Sequence, residues 1–200
     1  MADVAQEFRR IAQGLFSWQA YEPAVKCDLS SAAVVTPAGL LLIDPIALAK
    51  PALADLVKAA RPSAIVLTNG NHARDADAYR QEFGIPVWVH EAAGAALEIK
   101  ADAVLADGGI APGGLRVMTL PGAGPGEIAL LCGEVAFLGD AIVNLPPEGL
   151  RLLPAKYCSD PAALRGSLRK LLSCEFDVMT FAHGAPLVGQ ARRNLEVLLS

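Results

Sequence analysis

Short apolar runs, separated by turn residues and amphipathic stretches, alternate along most of this chain. The clearest pair lies in residues 31–44, SAAVVTPAGLLLID, where two apolar runs flank Thr36-Pro37-Ala38-Gly39. Proline presets one turn position and glycine tolerates a positive φ, so the segment predicts a β-hairpin. The second run, residues 40–43, is wholly apolar, as expected for a central strand buried on both faces.

Alternating helices and strands are predicted after this hairpin. Pro51 opens a helix over residues 51–60, because its missing N–H costs nothing in a first turn. We predict further strands at 15–21, 65–67, 85–89, 115–120, 128–132, 135–138 and 176–181, helices at 74–83, 91–100, 160–172 and 187–199, a short helix or loose arm at 1–13, and an irregular segment at 144–154. This order predicts an α/β fold, and 200 residues suit a single domain over residues 1–200.

Composition removes several classes of function. A hydrophobic fraction of 53% with 19% charged residues supports a sizeable core. A net charge of −4 without a basic run, and only 6% aromatic residues, argue against nucleic-acid binding. No apolar run approaches the roughly 20 residues of a membrane-spanning helix, and the N-terminus lacks the apolar core of a signal peptide. We therefore expect no membrane partner.

The four cysteines are scattered and form no Cys-x-x-Cys motif. They are Cys27, Cys132, Cys158 and Cys174. This spacing indicates reduced thiols in a cytoplasmic protein rather than a disulfide framework. No cysteine has a histidine partner in its sequence context, so the sequence gives no support to a cysteine nucleophile.

The candidate chemistry is concentrated on the polar loop that follows the strand at 65–67. In α/β proteins, functional groups lie on loops outside the carboxyl ends of strands. This loop reads Thr68-Asn69-Gly70-Asn71-His72-Ala73-Arg74, and three further polar motifs follow it: Pro121-Gly122-Ala123-Gly124-Pro125-Gly126, Phe137-Leu138-Gly139-Asp140 and Phe181-Ala182-His183-Gly184. Asp44 ends the hairpin that precedes all of them.

Taken in this order over residues 31–184, these motifs resemble landmarks of the metallo-β-lactamase fold hydrolases. The family has an apolar strand followed by Asp, then Thr with His-x-His-x-Asp-His, then Pro-Gly-His-Thr-Pro-Gly, then Gly-Asp, then Gly-His-Gly. The resemblance implies a four-layer αββα sandwich, in which two mixed β-sheets pack face to face between outer helices. It also implies a site that holds two metal ions, usually zinc, and a hydroxide that attacks the substrate.

Most of the implied metal ligands are replaced here. Matched position by position, the leading ligands fall on Asn69, Asn71, Ala73 and Arg74, and the middle histidine falls on Ala123. Only Asp140 and His183 keep the family's residue types. Asparagine is a poor zinc ligand, alanine is none, and arginine brings a fixed positive charge. We therefore expect no metal cofactor, with a single zinc, iron or manganese ion on His72, Asp140 and His183 as the alternative.

Without a metal, Asp140 would be an uncompensated buried charge. The guanidinium of Arg74 could then bind its carboxylate through a bidentate pair of hydrogen bonds. We therefore predict an Arg74–Asp140 contact. The predicted catalytic set is Asp140, His183 and Arg74. The predicted pocket-lining set is Asn69, Asn71, His72, Asp44 and Ala123, in which His72 is more typical of a loop histidine bonded to backbone.

Two functional hypotheses stay open at this point. The first is a metal-free protein of the family that binds a small molecule or a partner, or has lost activity. The second is a divergent hydrolase of esters, lactones or phosphodiesters, which uses one metal ion or a metal-free Asp140, His183 and Arg74 arrangement with His183 as acid or base. A homodimer through the apolar C-terminal helix is a third, structural hypothesis.

Overall fold

Two large β-sheets pack face to face between outer helices in the computed structural model, which describes residues 3–94 and 96–200. The strands are β1 (Arg9–Ala12), β2 (Leu15–Glu22), β3 (Cys27–Thr36), β4 (Gly39–Ile43), β5 (Pro62–Val66), β6 (Val87–His90), β7 (Ala103–Leu105), β8 (Ile110–Ala111), β9 (Leu115–Thr119), β10 (Ile128–Cys132), β11 (Val135–Leu138), β12 (Ile142–Leu145), β13 (Gly149–Leu152), β14 (Val178–Thr180) and β15 (Leu187–Val188). The α-helices are α1 (Lys50–Leu56), α2 (Ala76–Phe83), α3 (Pro161–Leu171) and α4 (Ala191–Leu199). Within the described ranges, no helix is long and apolar enough to cross a membrane.

The first sheet has seven strands in chain order, β1 to β7. Its β1–β4 part is antiparallel, and β5, β6 and β7 then join in parallel. The second sheet has the order β15-β14-β11-β10-β9-β8 and is antiparallel except for the β11–β14 pair. The strands β12 and β13 form a separate hairpin that follows β11 directly. The predicted sandwich of two mixed sheets is therefore confirmed.

Strand β4 shows how the apolar pattern builds the layers. Because side chains alternate across a strand, Leu40 and Leu42 pack toward α1 and α2, while Leu41 and Ile43 enter the core between the sheets. All four are at most 3% exposed, which confirms a strand buried on both faces. A third core joins the outer face of the second sheet to α3 and α4.

Four predicted segments differ from the structure. The helix predicted at 187–199 begins only at Ala191, because Leu187 and Val188 pair with β14 as strand β15. The start of the chain forms β1 instead of a helix, because it pairs with β2 across Gly14, whose φ is +68°. The predicted irregular segment at 144–154 contains strand residues of β12 and β13, and the Pro146-Pro147 pair lies in the turn between them. The predicted helix at 91–100 has only a 3₁₀ turn at Glu91–Ala93, and residue 95 lies outside the described residues.

The Pro-Gly loop at 121–126 fixes α3 against the second sheet. Gly122 has a φ of +107°, and a Cβ atom there would overlap the carbonyl oxygen of Asp160 and the backbone nitrogen of Leu164. Asp160 in turn caps α3, accepting hydrogen bonds from the N–H groups of Ala162 and Ala163 at 2.9 and 3.0 Å. A side chain at 122 would therefore push the helix start away from the loop.

We predict that Gly122→Ala lowers the free energy of unfolding by at least about 3 kcal/mol, because overlap with backbone adds to the cost of a positive φ. Gly84→Ala is the matched control, since Gly84 also has a positive φ, +65°, but has open space around it. We expect it to cost only about 1 kcal/mol. Equal losses for the two variants in urea denaturation would contradict this account of the loop.

Candidate functional site

A cleft of about 890 Å³ opens at the ends of the strands that carry the polar motifs. Its floor includes Asn71, Gly124, Asp140 and His183. One wall is formed by residues around the β2–β3 turn and the other by the β12–β13 hairpin and the segment after it; examples are Tyr21, Val25, Val143, Leu145 and Tyr157. The cleft therefore has polar groups at its base and largely apolar walls.

Asp140 is the centre of the polar floor. Its Oδ1 atom lies 3.2 Å from Nε2 of His72 and 3.1 Å from Nε2 of His183. Its Oδ2 atom accepts a hydrogen bond from Nδ2 of Asn69 at 3.2 Å. Burial alone would raise the pKa of this carboxyl, but His72 and His183 hold the pKa well below its ordinary value. Asp140 is therefore ionised at neutral pH.

His72 makes more polar contacts in the site than its sequence context predicted. Its side chain is 4% exposed and lies between two carboxylates, with Nδ1 3.0 Å from Oδ2 of Asp44 and Nε2 facing Asp140. The hydroxyl of Thr68 is also 3.0 Å from Nδ1. The expectation that His72 bonds to backbone through its ring is wrong, since its ring joins Asp44 to Asp140. Burial alone would lower the pKa of His72, but Asp140 and Asp44 raise it to about 9.

His183 has a similar two-sided environment. Its Nε2 atom faces Asp140, and its Nδ1 atom lies 3.2 Å from the carbonyl oxygen of Asp28. The thiol of Cys27 is 3.4 Å from the same Nδ1 atom. The folded chain therefore gives Cys27 a histidine partner that its sequence neighbourhood did not reveal, because the two residues are 156 positions apart.

The three side chains that meet at this point could hold a metal ion. One donor atom each from His72, Asp140 and His183 lies within 4.8 Å of the others. Two ligands of a tetrahedral zinc ion lie roughly 3.3 Å apart, given bonds of about 2.0–2.1 Å, and the distances from Oδ1 of Asp140 to the two imidazole nitrogens, 3.2 and 3.1 Å, are close to that value. Two imidazoles and a carboxylate are also a ligand set that zinc, iron and manganese accept.

Arg74 does not make the predicted contact with Asp140. Its guanidinium donates hydrogen bonds to the carbonyl oxygens of Ser30, Asp44 and Ala182 at 2.7, 3.1 and 3.1 Å. Among the described residues, no ion pair joins Arg74 to Asp140. The prediction is wrong because His72, and not Arg74, is close enough to neutralise that carboxylate. Through these hydrogen bonds, Arg74 instead links three segments of the chain beneath the site.

Asp44 lies beneath the polar loop and orients it. The carboxylate accepts hydrogen bonds from the backbone N–H of Thr68 at 2.8 Å and from the Thr68 hydroxyl. Burial alone would raise its pKa, but His72, Arg74 and Thr68 hold the pKa below the ordinary value. Asp44 and Arg74 both have a positive φ, +46° and +41°, so the chain accepts backbone strain to place these two side chains.

The remaining predicted pocket residues separate into two groups. Asn71 lines the cleft, and its backbone N–H donates to Oδ1 of Asn69 at 2.8 Å. Asn69 is fully buried beneath the floor. Ala123, predicted to line the pocket, is 1% exposed and packs in the core under α3 and α4, while its neighbour Gly124 lines the cleft.

Glu127 is a site residue that the sequence analysis missed. It is 3% exposed, and its Oε2 atom accepts a hydrogen bond from Nδ2 of Asn69 at 2.8 Å. Burial, and then the negative charge of Asp140, raises the pKa of Glu127 to about 8. One available signal was a carboxylate placed directly between the Pro-Gly loop and an apolar strand.

The family described as "Metallo-beta-lactamase superfamily" matches residues 9–194 of this chain. No curated protein sequence matches this chain. Solved structures share the fold at low identity, which supports the fold alone. A metallo-beta-lactamase from Pontibacter korlensis superposes with a TM-score of 0.75 at 19% identity, covering 96% of this chain and 98% of the other.

Two other structures show the range of proteins that share this fold. A metallo-beta-lactamase from Erythrobacter litoralis superposes with a TM-score of 0.71 at 18% identity, covering 100% of this chain and 95% of the other. A mutant of the flavo di-iron protein from Thermotoga maritima superposes with a TM-score of 0.69 at 15% identity, covering 100% of this chain and 61% of the other.

We predict that Arg74→Ala lowers the free energy of unfolding by about 3 kcal/mol or more, because three buried carbonyl groups lose a charged donor. Arg80→Ala is the matched control, since the Arg80 side chain is 29% exposed and pairs with Asp102 near the surface. That variant should lose less than about 1 kcal/mol. Chemical denaturation monitored by circular dichroism measures the free energy of unfolding of both variants. Similar losses would contradict the stabilising role assigned to the three hydrogen bonds of Arg74.

Proposed function

This chain belongs to the metallo-beta-lactamase superfamily, and we propose that it is a hydrolase that depends on a single divalent metal ion held by His72, Asp140 and His183. One observation carries the proposal. The two imidazoles face hydrogen-bond acceptors with Nδ1 and converge on Oδ1 of Asp140 with Nε2. Metal-binding histidines have this arrangement in proteins generally, with the outer ring nitrogen donating to a carboxylate or a carbonyl.

The acceptors on the outer nitrogens determine where each ring proton lies. The carbonyl oxygen of Asp28 can only accept a hydrogen bond, and the ionised carboxylate of Asp44 can only accept as well. Nδ1 of His183 and Nδ1 of His72 therefore carry protons. In the neutral tautomer, each Nε2 atom is then left with a lone pair aimed at the Asp140 carboxylate.

Three electron-pair donors that converge in a buried site repel one another unless positive charge lies between them. Without a metal ion, that charge must come from protonation of both histidines. Two imidazoliums carry the same charge as one divalent ion, so both ways of neutralising the site leave the same balance among Asp44, Asp140 and Arg74. A single divalent ion satisfies all three donors at once and leaves both imidazoles neutral.

The replaced family ligands limit the site to one ion. Asn69, Asn71 and Ala73 offer no charged or imidazole donor, and the fixed charge of Arg74 repels a second cation. A zinc-type ion on three protein ligands keeps an open position and activates water at neutral pH. Below the cleft, Asp44 and the Asp28 carbonyl hold the rings in their tautomers, and Asn69 orients the carboxylate.

The cleft supports a small-molecule substrate. Its volume of about 890 Å³ and mixed polar and apolar lining are typical of small-molecule sites. A substrate that packs against the apolar walls would displace water from the polar floor, which strengthens electrostatic interactions with a reacting carbonyl or phosphoryl group. Esters, lactones and phosphodiesters are therefore the substrate classes that we propose.

We predict that the protein hydrolyses at least one member of a panel of aryl esters, lactones and bis-aryl phosphodiesters once it is loaded with zinc, iron or manganese. His183→Asn should lower the rate at least about 100-fold, since a three-ligand site loses one ligand. His90→Asn is the matched control, because His90 is also buried but caps the Glu91–Ala93 turn outside the cleft.

The two variants show whether the activity comes from the proposed metal site. Loss of activity in His183→Asn with activity retained in His90→Asn supports the site. Equal activity in both variants, or hydrolysis that does not depend on added metal, would overturn it.

One observation favours a second candidate, a metal-free protein that binds its ligand without hydrolysing it. The pKa of about 9 for His72 means that an imidazolium between Asp44 and Asp140 could supply the positive charge of the floor. Nitrogen NMR of the histidine rings distinguishes the two candidates. A His72 ring that becomes neutral and protonated only on Nδ1 at pH 7 when zinc is added supports the metal site, whereas a ring that stays doubly protonated after zinc addition supports the metal-free candidate.

A further inference from the structure

We propose that Glu127 is a positioning residue for the metal ligand Asp140, which it holds through the side chain of Asn69 and the backbone of Ala141. This inference rests on the proposed metal site. Glu127 is not among the residues that line the cleft, so it cannot touch the substrate, and its effect must pass through these two neighbours.

The carboxyl group of Glu127 holds Asp140 from two sides. Its Oε1 atom accepts a hydrogen bond from the backbone N–H of Ala141, the residue after Asp140, at 2.9 Å. Its Oε2 atom accepts from Nδ2 of Asn69 at 2.8 Å, and the same nitrogen donates to Oδ2 of Asp140 at 3.2 Å. The carboxyl groups of Glu127 and Asp140 therefore share the two hydrogens of one amide group.

The orientation of that amide group is fixed from its other end. Oδ1 of Asn69 accepts a hydrogen bond from the backbone N–H of Asn71 at 2.8 Å. Because an N–H can only donate, the oxygen of the amide must face the loop and the nitrogen must face the carboxylates. Asn69 thus transmits the position of Glu127 to Oδ2 of Asp140, which leaves Oδ1 directed at the two histidines.

Gly139 provides the space that this arrangement needs. A Cβ atom on Gly139 would lie 2.7 Å from Oε1 of Glu127 and 2.6 Å from the hydroxyl oxygen of Thr68. The Glu127 carboxyl group therefore packs directly against the residue before Asp140. It contacts the chain before and after the ligand, and through Asn69 it also orients the ligand itself.

Loss of the Glu127 carboxyl group should weaken metal binding more than it weakens the fold. Partners that orient metal ligands change metal affinity by about 10- to 100-fold when they are removed. We therefore expect Glu127→Leu to raise the dissociation constant for Co²⁺ by at least about 10-fold, measured by competition with a chelator of known affinity. Glu127→Gln keeps one acceptor oxygen and should show a smaller increase.

Glu134→Leu is the matched control, because Glu134 lies exposed in the turn between β10 and β11. Its Co²⁺ affinity should equal that of the wild-type protein. Thermal unfolding of all variants without metal reports folding separately. If Glu127 were only structural, the affinity of the Glu127→Leu protein that remains folded would be unchanged.

A double-mutant cycle tests the route through Asn69. Residues that act through one another have non-additive effects. We therefore expect Asn69→Ala to weaken Co²⁺ binding. The double variant Asn69→Ala/Glu127→Leu should bind Co²⁺ about as tightly as the weaker of the two single variants. Strictly additive losses would overturn the route through Asn69 and leave only the backbone contact.

The outcomes separate this inference from the proposed function. A wild-type protein that binds no Co²⁺, Zn²⁺, Fe²⁺ or Mn²⁺ would overturn the metal site, and this inference with it. A wild-type protein that binds Co²⁺ tightly, together with a Glu127→Leu variant of equal affinity, would overturn this inference alone. A crystal structure of Glu127→Leu gives a readout without metal, since the Asp140 carboxylate should be displaced from Asn69.

Discussion

The site depends on how one buried carboxylate is neutralised. Asp140 lies on a loop between β11 and the β12–β13 hairpin, and its Oδ1 atom is within 3.2 Å of two imidazole nitrogens. The negative charge is stable in this buried position because His72, His183 and Asn69 all contact the Asp140 carboxylate. Each of these three residues is itself held by another contact, so together they fix the position of Asp140.

Beneath that floor, Arg74 and Asp44 form a structural network. Arg74 donates to three carbonyl groups, two of them in the segments that precede the loop and one beside His183. Asp44 contacts Thr68 and His72 and holds both in place. His72 in turn faces Asp140, and with His183 the two residues form a three-donor group.

The sequence predicted the layers better than it predicted the site. Strands such as β4 follow from a purely apolar run, and the cap of α3 follows from Asp160-Pro161, because both signals are local. The β12–β13 hairpin was missed because Pro146-Pro147 concealed a turn between two short strands. The side-chain contacts of His72 and Glu127 depend on partners 68 and 58 residues away, and neither periodicity nor motif spacing records such distances. The Arg74–Asp140 pairing failed for the same reason.

The measurement that tests this account most directly is the metal content of the purified protein by inductively coupled plasma mass spectrometry. The protein should be prepared without chelator or a metal-affinity tag, both before and after addition of zinc, iron and manganese. The account predicts close to one ion per chain in the wild-type protein, and none in His72→Ala, because a three-ligand site then loses one of its ligands. No bound metal under any of these conditions would contradict the account and favour an imidazolium at His72. Metal retained in His72→Ala would contradict the ligand set.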